Sequence, residues 1–237
     1  MEKIFLYAIV SLPLGSSHGY LITWENRAVL VDAGQRKQPK SLTAVLKKKN
    51  LSYGDLTHIV LTHSHYDHVG GLADLKQKCD AKVVAHKEEA VCLRSGYTPF
   101  PKGTSFFSKL ISNLGASLLQ KTAHYEPVEP DVIVKDRYEL AKDGPHVYIM
   151  HTPGHTAGSV SVIVDDTHAF VGDTMFNIFP HTVFPPFAND VHTLMTSWRK
   201  LIETGCTHFY PGHGRPFTVE KLLKNYDRIE KGWKNRP

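Results

Sequence analysis

The sequence predicts an α/β (α+β) fold that forms a single domain over residues 1–237. Short runs rich in β-branched residues alternate with segments in which apolar residues recur every three or four positions, which are the patterns of strands and of helices. The second half of the chain repeats the plan of the first half. A chain of this length buries a sizeable core of its own, so folding requires neither a disulfide nor a partner subunit.

Strands and helices alternate in the first half. The apolar run at residues 4–14 is interpreted as the opening strand rather than as a signal peptide, because a second strand at 20–24 follows it after a Gly/Ser turn. The run is also far shorter than the roughly 20 residues that a membrane span needs. Later strands are predicted at 28–31, 58–61 and 81–85, and helices at 42–49, 72–78 and 87–94.

The sequence pattern of the second half also predicts alternating strands and helices. The pair Asp165-Asp166 is typical of a hairpin turn between two strands, since both residues tolerate a positive φ. Strands are expected at 147–150, 160–164, 168–171 and 208–210, and helices at 191–203 and 219–231.

An insertion at residues 96–131 separates the two halves and contains a predicted amphipathic helix at 106–119. The helix is interpreted either as packing on the domain or as a cap that covers a site. A cap would form an apolar substrate pocket or, through residues 104–119, a homodimer contact. A membrane-surface role is the weaker alternative, because the polar face of the helix has no dense basic stripe.

Composition favours a globular enzyme. Hydrophobic residues make up 41% of the chain, and the formal net charge of +5 suits either anionic substrates or an ordinary solvated surface. The three cysteines, Cys79, Cys92 and Cys206, form no C-x-x-C pair, which favours a reducing compartment. The cytoplasm is therefore the expected location, with secretion left open.

Four short motifs contain side chains that bind metal ions. They are residues 62–68 (Thr-His-Ser-His-Tyr-Asp-His), 152–156 (Thr-Pro-Gly-His-Thr), 172–174 (Gly-Asp-Thr) and 211–214 (Pro-Gly-His-Gly). Imidazole and carboxylate are the ligands that a zinc-like dication selects, and this set suffices for two ions. A lone His-x-His would be ordinary loop sequence, but four ordered motifs indicate a metal site. The candidate ligands are His63, His65, Asp67, His68, His155, Asp173 and His213.

Each motif comes just after a predicted strand. His63 follows the strand at 58–61, and His155 follows the strand at 147–150. Asp173 and His213 likewise follow the last two predicted strands. Because side chains at strand ends converge along one edge of a sheet, the candidate ligands are expected to meet there.

These motifs resemble the signature of the metallo-β-lactamase-fold superfamily, which is His-x-His-x-Asp-His followed by single His, Asp and His ligands. The resemblance extends from Asp32 to His213 and implies a four-layer αββα sandwich with metals at the edge between the sheets. Asp32 is expected either to hydrogen-bond a ligand histidine or to serve as a turn residue. The resemblance also implies that His63, His65 and His155 hold one ion, that Asp67, His68 and His213 hold the other, and that Asp173 bridges them.

The resemblance implies a metal-dependent hydrolase. Two neighbouring dications lower the pKa of a shared water, which gives a hydroxide nucleophile without any Ser or Cys. Asp67 and Asp173 are the candidate catalytic carboxylates, and Asp67 is a ligand first and a proton acceptor second. The expected cofactors are two divalent ions, zinc ahead of iron or manganese, and the expected substrate is a small ester, thioester or lactone.

Residues 172–176 and the ligand set look most like glyoxalase II and the acyl-homoserine lactonases. Only 24 residues follow His213, too few for the helical glutathione-binding domain of glyoxalase II. Phe176 stands where the lactonases carry a tyrosine.

Two other activities stay open as alternatives. One is a persulfide dioxygenase, an oxidoreductase whose single iron is held by residues like His63, His155 and Asp173, so that bound iron would discriminate. The other is a dimetal phosphodiesterase or nuclease like ribonuclease Z. No basic exosite arm supports the nuclease, so a nucleic-acid partner is not expected.

Overall fold

Two six-stranded sheets form the framework of this computed structural model, which describes residues 5–35, 40–105, 108–110, 112, 123–140 and 143–234. The first sheet is built in chain order from β1 (Ala8–Pro13), β2 (His18–Trp24), β3 (Arg27–Val31), β4 (Leu56–Val60), β5 (Lys82–His86) and β6 (Val132–Val134). Strands β1 to β3 pair antiparallel, whereas β3 to β6 pair parallel through connections that contain helices.

The second sheet comes from the second half of the chain. Its strands are β7 (Arg137–Glu139), β8 (Val147–His151), β9 (Val160–Val164), β10 (His168–Asn177), β11 (His208–Gly214) and β12 (Phe217–Thr218). These strands also follow chain order across the sheet. All neighbours pair antiparallel except β10 and β11, which are parallel because a long helix connects them.

Helices cover the outer face of each sheet. The first sheet carries α1 (Lys40–Lys48), α2 (Tyr66–Val69), α3 (Leu72–Lys76) and α4 (Lys87–Ser95). The second sheet carries α5 (Val191–Glu203) and α6 (Val219–Lys234). Within the described residues, no helix combines the length and the apolar character needed to cross a membrane.

Alternation of side chains along the strands separates the core into three layers. On β2, Tyr20 and Ile22 pack between the sheets, whereas Leu21 packs under the helices of the first sheet. The ring of Tyr20 lies 5.2 Å from the ring of Phe170 on β10, which joins the two sheets at their centre. Behind the second sheet, buried Trp198 donates its indole N–H to the carbonyl of Thr174 at 2.8 Å. The expected αββα sandwich is confirmed.

The strands that carry the later candidate ligands are longer than the sequence pattern predicted. β10 continues through Asp173 and β11 continues through His213, so both side chains lie within strands rather than after them. The pairing register of β10 with β11 shifts at Gly172 and again before Phe176. These irregularities keep glycine-containing segments in the sheet, although such segments show no strand periodicity in the sequence.

Most other boundaries agree with the sequence patterns. Helix α5 spans the predicted residues, and its Asp190 cap accepts a hydrogen bond from the Thr193 amide at 3.0 Å. Asp165 and Asp166 have φ angles of 48° and 46°, which confirms the hairpin turn. The opening strand begins at Ala8 rather than at residue 4. Strands β6 and β7, of three residues each, were missed because they are too short to show a period.

The described residues on both sides of the predicted 106–119 helix are attached to the rest of the structure. The amide of Thr104 donates to Pro186 at 2.9 Å, and the amide of Val128 donates to Leu93 at 3.0 Å. The predicted helix at 106–119 lies mostly outside the described residues, as do the cap and the dimer contact at 104–119 that were inferred from it.

Replacing Phe170 tests the packing between the sheets. Phe170→Ala removes a fully buried ring from the middle layer and should lower the free energy of unfolding by about 3–5 kcal/mol. Urea denaturation followed by circular dichroism measures this loss. Val91→Ala on the exposed side of α4 is the control and should change the stability by less than about 0.5 kcal/mol. Equal stability of both variants would contradict the layered core.

Candidate metal centre

The structure brings all seven candidate ligands together. His63 and His65 lie in the loop after β4, and Asp67 and His68 occupy the first turns of α2. The single histidine of the second half, His155, lies in the loop between β8 and β9. The ligand atoms form two groups, each with its atoms within 4.8 Å of one another: His63, His65, His155 and Asp173, and Asp67, His68 and His213.

Asp173 lies between the two groups and contacts both. Its Oδ2 atom is 3.5 Å from His155 Nε2 and 3.8 Å from His63 Nε2 in the first group. The same oxygen is 3.5 Å from His213 Nε2, and Oδ1 is 3.2 Å from His68 Nε2, in the second group. One carboxylate is therefore placed where it can reach ions on both sides.

The buried donor atoms of the cluster fit divalent metal ions. His63 Nε2, His68 Nε2 and Asp173 Oδ1 are buried and have no hydrogen-bond partner. Leaving such an atom unsatisfied costs about 1–3 kcal/mol, so three in one place indicate atoms that serve another purpose. The contacts of 3.0–3.8 Å between donor atoms match the spacing of about 3.3 Å expected around a tetrahedral zinc ion.

Burial keeps the first group of imidazoles neutral. Burial, together with the nearby charge of His155, lowers the pKa of His65 to about 3. Burial also lowers the pKa of His155, and it lowers that of His63 well below the usual value. A neutral imidazole is the form that binds a metal ion, so this group is prepared for ligation.

Carboxylate charges raise the pKa values of the two histidines in the second group. Burial opposes the protonation of His68, but the charges of Asp173 and Asp32 outweigh it and raise its pKa well above the usual value. In the same way, Asp173 overcomes burial and raises the pKa of His213 to about 10. Burial alone would raise the pKa of Asp67, but the charge of His68 holds it below the usual value. The electrostatic potential around Asp67, His68 and His213 is therefore negative and favours the binding of a cation.

Asp32 fixes the orientation of His68. Its Oδ2 atom lies 2.8 Å from His68 Nδ1, which leaves His68 Nε2 pointing into the cluster. Its two oxygens also accept the amide and the hydroxyl of Thr62, both at 2.8 Å. The expected hydrogen bond from Asp32 to a candidate ligand is confirmed. The ring nitrogen that faces away from the cluster is thus held by a carboxylate, as is usual for metal-binding histidines.

Gly212 permits the close approach of β11 to the cluster. A Cβ atom at this position would lie 2.4 Å from Asp173 Oδ1 and 2.6 Å from His68 Cε1, far inside van der Waals contact. Any larger residue would displace both side chains. Gly212 is therefore required by the packing of β11 against the cluster.

A cavity of about 280 Å³ opens onto the cluster. Phe176 lines it, and its ring stacks on His213 with centroids 4.6 Å apart and an interplanar angle of 17°. Phe100 and Phe187 form an edge-to-face pair at 5.0 Å in its wall. Tyr66 lines the cavity and also packs against the first-sheet core. No lysine or arginine belongs to the described part of the lining.

Sequence analysis did not identify Glu89, a buried residue beside the cluster. Glu89 lies in the first turn of α4, where an acidic residue ordinarily complements the helix dipole at the surface. A weak signal was present, because Glu89 shares the buried face of α4 with Ala90 and Leu93.

Two sheets covered by helices, with five histidines and two aspartates gathered beside a cavity, define a metal-binding class of αββα proteins. A family model described as the Metallo-beta-lactamase superfamily matches residues 12–213. The chain belongs to this superfamily, as the motifs had indicated.

Individual relatives are similar at low identity. A Beta-lactamase-like protein 2 homolog of Caenorhabditis elegans is 28% identical over 216 residues, which cover 90% of this chain and 60% of the relative. A hydroxyacylglutathione hydrolase of Shewanella loihica is 27% identical over 158 residues, which cover 67% of this chain and 48% of the relative. The match thus spans between 48% and 60% of the length of these two relatives.

A solved structure shares the fold of nearly the whole chain. TTHA1623 in a di-iron-bound form superimposes with a TM-score of 0.64 and 26% identity. The match covers 92% of this chain and 98% of that one. The two proteins therefore have the same architecture with few additions on either side.

Asp32→Asn tests the orientation of His68. The amide keeps the size of the side chain, but its NH2 group cannot accept a hydrogen bond and must face either the Thr62 amide or the pair formed by His68 Nδ1 and the Thr62 hydroxyl, so the contacts that hold His68 and its loop are no longer all made. Affinity for zinc should fall about 10–100-fold in a competition titration with a chelator. Asp227→Asn on the exposed surface of α6 is the control and should bind zinc as the wild type does. Unchanged affinity of Asp32→Asn would contradict the orienting role.

Proposed function

We propose that this protein is a hydrolase that uses two divalent metal ions to cleave a small ester, thioester or lactone. The observation that carries the proposal is the position of Asp173 between two groups of ligand atoms, at the floor of an apolar cavity. The similarity to a hydroxyacylglutathione hydrolase supports thioester chemistry. The similarity to a protein solved in a di-iron-bound form supports a centre with two ions.

Each group of side chains would hold one ion. When bound, the ions supply Lewis-acid polarisation of a substrate oxygen and lower the pKa of a coordinated water. Zinc is the first choice for imidazole and carboxylate ligands, with iron and manganese as the alternatives. The proposed ligands are His63, His65 and His155 for one ion, Asp67, His68 and His213 for the other, and Asp173 for both.

Of the two candidate catalytic carboxylates, Asp67 and Asp173, we infer that Asp67 is the one that faces the substrate. Its side chain is 24% exposed and lines the cavity, whereas that of Asp173 is 5% exposed. Asp67 Oδ2 lies 3.1 Å from His213 Nε2, and its lowered pKa makes it a weak proton acceptor. Asp67 therefore acts first as a ligand and only second as a base at Oδ2.

The aromatic wall of the cavity would bind the acyl part of the substrate. Phe100, Phe176 and Phe187 present rings rather than charges to the cavity. Burying an alkyl chain against them displaces water and contributes about 0.8 kcal/mol for each methylene group. Apart from the proposed ions, the described lining offers no lysine or arginine to bind the further charges of a nucleic acid or of a second carboxylate, which argues against the nuclease alternative.

The dioxygenase alternative predicts a different metal content. It requires one iron on residues such as His63, His155 and Asp173, and it gives no purpose to the group formed by Asp67, His68 and His213. The presence of this second group favours the two-metal hydrolase.

Metal counting and two substitutions test the hydrolase. The purified protein should contain close to two zinc or manganese ions per chain by elemental analysis. His65→Ala and Asp173→Ala should reduce hydrolysis of aryl esters, thioesters and lactones by at least about 1,000-fold, since the ligands act as a unit. His208→Ala, an exposed histidine on the strand that carries His213, is the matched control and should retain activity.

Other outcomes would contradict the proposal in distinct ways. Full activity in either ligand variant would exclude the proposed centre. About one iron per chain, with no hydrolysis, would favour the dioxygenase.

A series of acyl chain lengths tests the cavity. From acetyl to hexanoyl thioesters, kcat/KM should rise about 3–4-fold for each added methylene group until the cavity is filled. Phe100→Ala and Phe187→Ala should flatten this dependence because they remove part of the wall. A succinyl ester, which adds a negative charge at the same length as butyryl, should react poorly. A flat dependence in the wild type, or a preference for succinyl, would contradict an apolar acyl site.

A further inference from the structure

Glu89 is a buried carboxylate that lies outside the proposed ligand set. It is 4% exposed and belongs to the first turn of α4, with its side chain directed towards the loops of the cluster. No lysine or arginine pairs with it among the described contacts. Burying a carboxylate in this way is costly unless hydrogen bonds replace its water, so its partners indicate its role.

Each oxygen of Glu89 holds a different loop. Oε2 accepts the amide of Ser64 at 2.8 Å and its hydroxyl at 2.5 Å. Oε1 accepts the hydroxyl of Thr156 at 2.7 Å and the amide of Gly158 at 3.0 Å. A carboxylate has two oxygens at a fixed separation, so these four bonds fix the distance between the loops.

The two loops carry three candidate ligands of one group. Ser64 lies between His63 and His65, and Thr156 directly follows His155. Across this junction, His155 Nε2 lies 3.0 Å from His65 Nδ1. None of the residues bound by Glu89 is adjacent in the chain to His68 or His213.

The contact between Glu89 and the loops that contain Ser64 and Thr156 is closely packed, so Glu89 cannot shift easily. A Cβ atom on Gly158 would lie 2.7 Å from both Cγ and Oε1 of Glu89. On the other side, the hydroxyl of Thr98 lies 2.9 Å from Ser64 Oγ and 2.7 Å from the hydroxyl of Tyr125. Buried polar networks of this kind, with every member satisfied, hold a single arrangement.

We propose that Glu89 is a positioning residue that sets the spacing of His63, His65 and His155, and thereby the affinity of the first group for its ion. In the second group, Asp32 holds His68 directly, and it also reaches the first group through the Thr62 hydroxyl, which lies 3.1 Å from His63 Nδ1. Glu89 is therefore the buried carboxylate that joins the two loops of the first group, whereas Asp32 contacts both groups. This inference rests on the proposed two-metal function.

A metal titration with Glu89→Gln tests the proposal. The amide keeps the volume of the side chain, but its NH2 group cannot accept hydrogen bonds, so one loop is released. The chelator-stripped wild type should bind two Co²⁺ ions with two distinguishable visible spectra. Glu89→Gln should weaken one of them by about 10–100-fold and change its spectrum while leaving the other unchanged.

Reference variants assign the affected ion. His65→Ala removes a proposed ligand of the first group, and His213→Ala removes one of the second. The spectrum that Glu89→Gln loses should be the one that His65→Ala loses, and not the one that His213→Ala loses. Glu88→Gln, the exposed neighbour on the same helix, is the matched control and should bind both ions as the wild type does.

A second pair of variants separates positioning from folding. Thr156→Val removes one of the four hydrogen bonds and should cause a smaller loss at the same ion, whereas Thr156→Ser should keep the wild-type affinity. The pair also tests the proposal if Glu89→Gln fails to fold. Circular dichroism and the melting temperature of the metal-free proteins should show that Thr156→Val retains the fold.

The outcomes distinguish this inference from the proposed function. If the wild type binds two ions and Glu89→Gln binds both normally, or loses both equally, the positioning role is wrong and the two-metal centre stands. If the wild type binds no pair of ions, the two-metal function is wrong and the positioning role falls with it. If both ions bind as expected but no ester, thioester or lactone is cleaved, only the proposed reaction is wrong.

Discussion

The burial of the Asp173 carboxylate among four imidazoles is the interaction on which the site depends. One of its oxygens lies 3.5 Å from both His155 Nε2 and His213 Nε2, and its side chain is buried. A buried charge needs compensation, and the raised pKa of His213 shows that this carboxylate draws a positive charge towards itself. Divalent ions would supply that charge more effectively than protons, because the orphaned ring nitrogens would also coordinate them.

The architecture brings Asp173 to this position through the parallel pairing of β10 with β11. The irregular register after Phe170 and the absence of a side chain at Gly212 let β11 approach Asp173 and His68 closely. On the other sheet, Asp32 at the end of β3 and Glu89 at the start of α4 fix the loop and helix that follow β4. The cluster is thus held from both sheets by side chains outside the ligand set.

Much of this arrangement follows from the sequence, because strand periodicity and ordered His and Asp motifs are local signals. The β-branched runs at 28–31, 58–61 and 160–164 predict β3, β4 and β9 to within two residues at each end. The continuation of β10 through Asp173 was not predictable, since a bulged strand with glycine shows no period of two. Glu89 was missed for a related reason. An acid in a first helical turn looks like a dipole partner, and only the tertiary contacts with Ser64 and Gly158 reveal its burial.

The apolar cavity and the charged cluster reinforce one another. Phe176 belongs to both, because it lines the cavity and stacks on His213, so one ring shields a candidate ligand from water and contacts the substrate space. Excluding water lowers the local dielectric constant, which strengthens every charge interaction around Asp173. A substrate with an apolar acyl group would complete this exclusion when it binds, whereas a small hydrophilic ester would leave the cavity wet. The proposed preference for apolar acyl groups therefore rests on the electrostatics of the cluster as well as on the aromatic wall of the cavity.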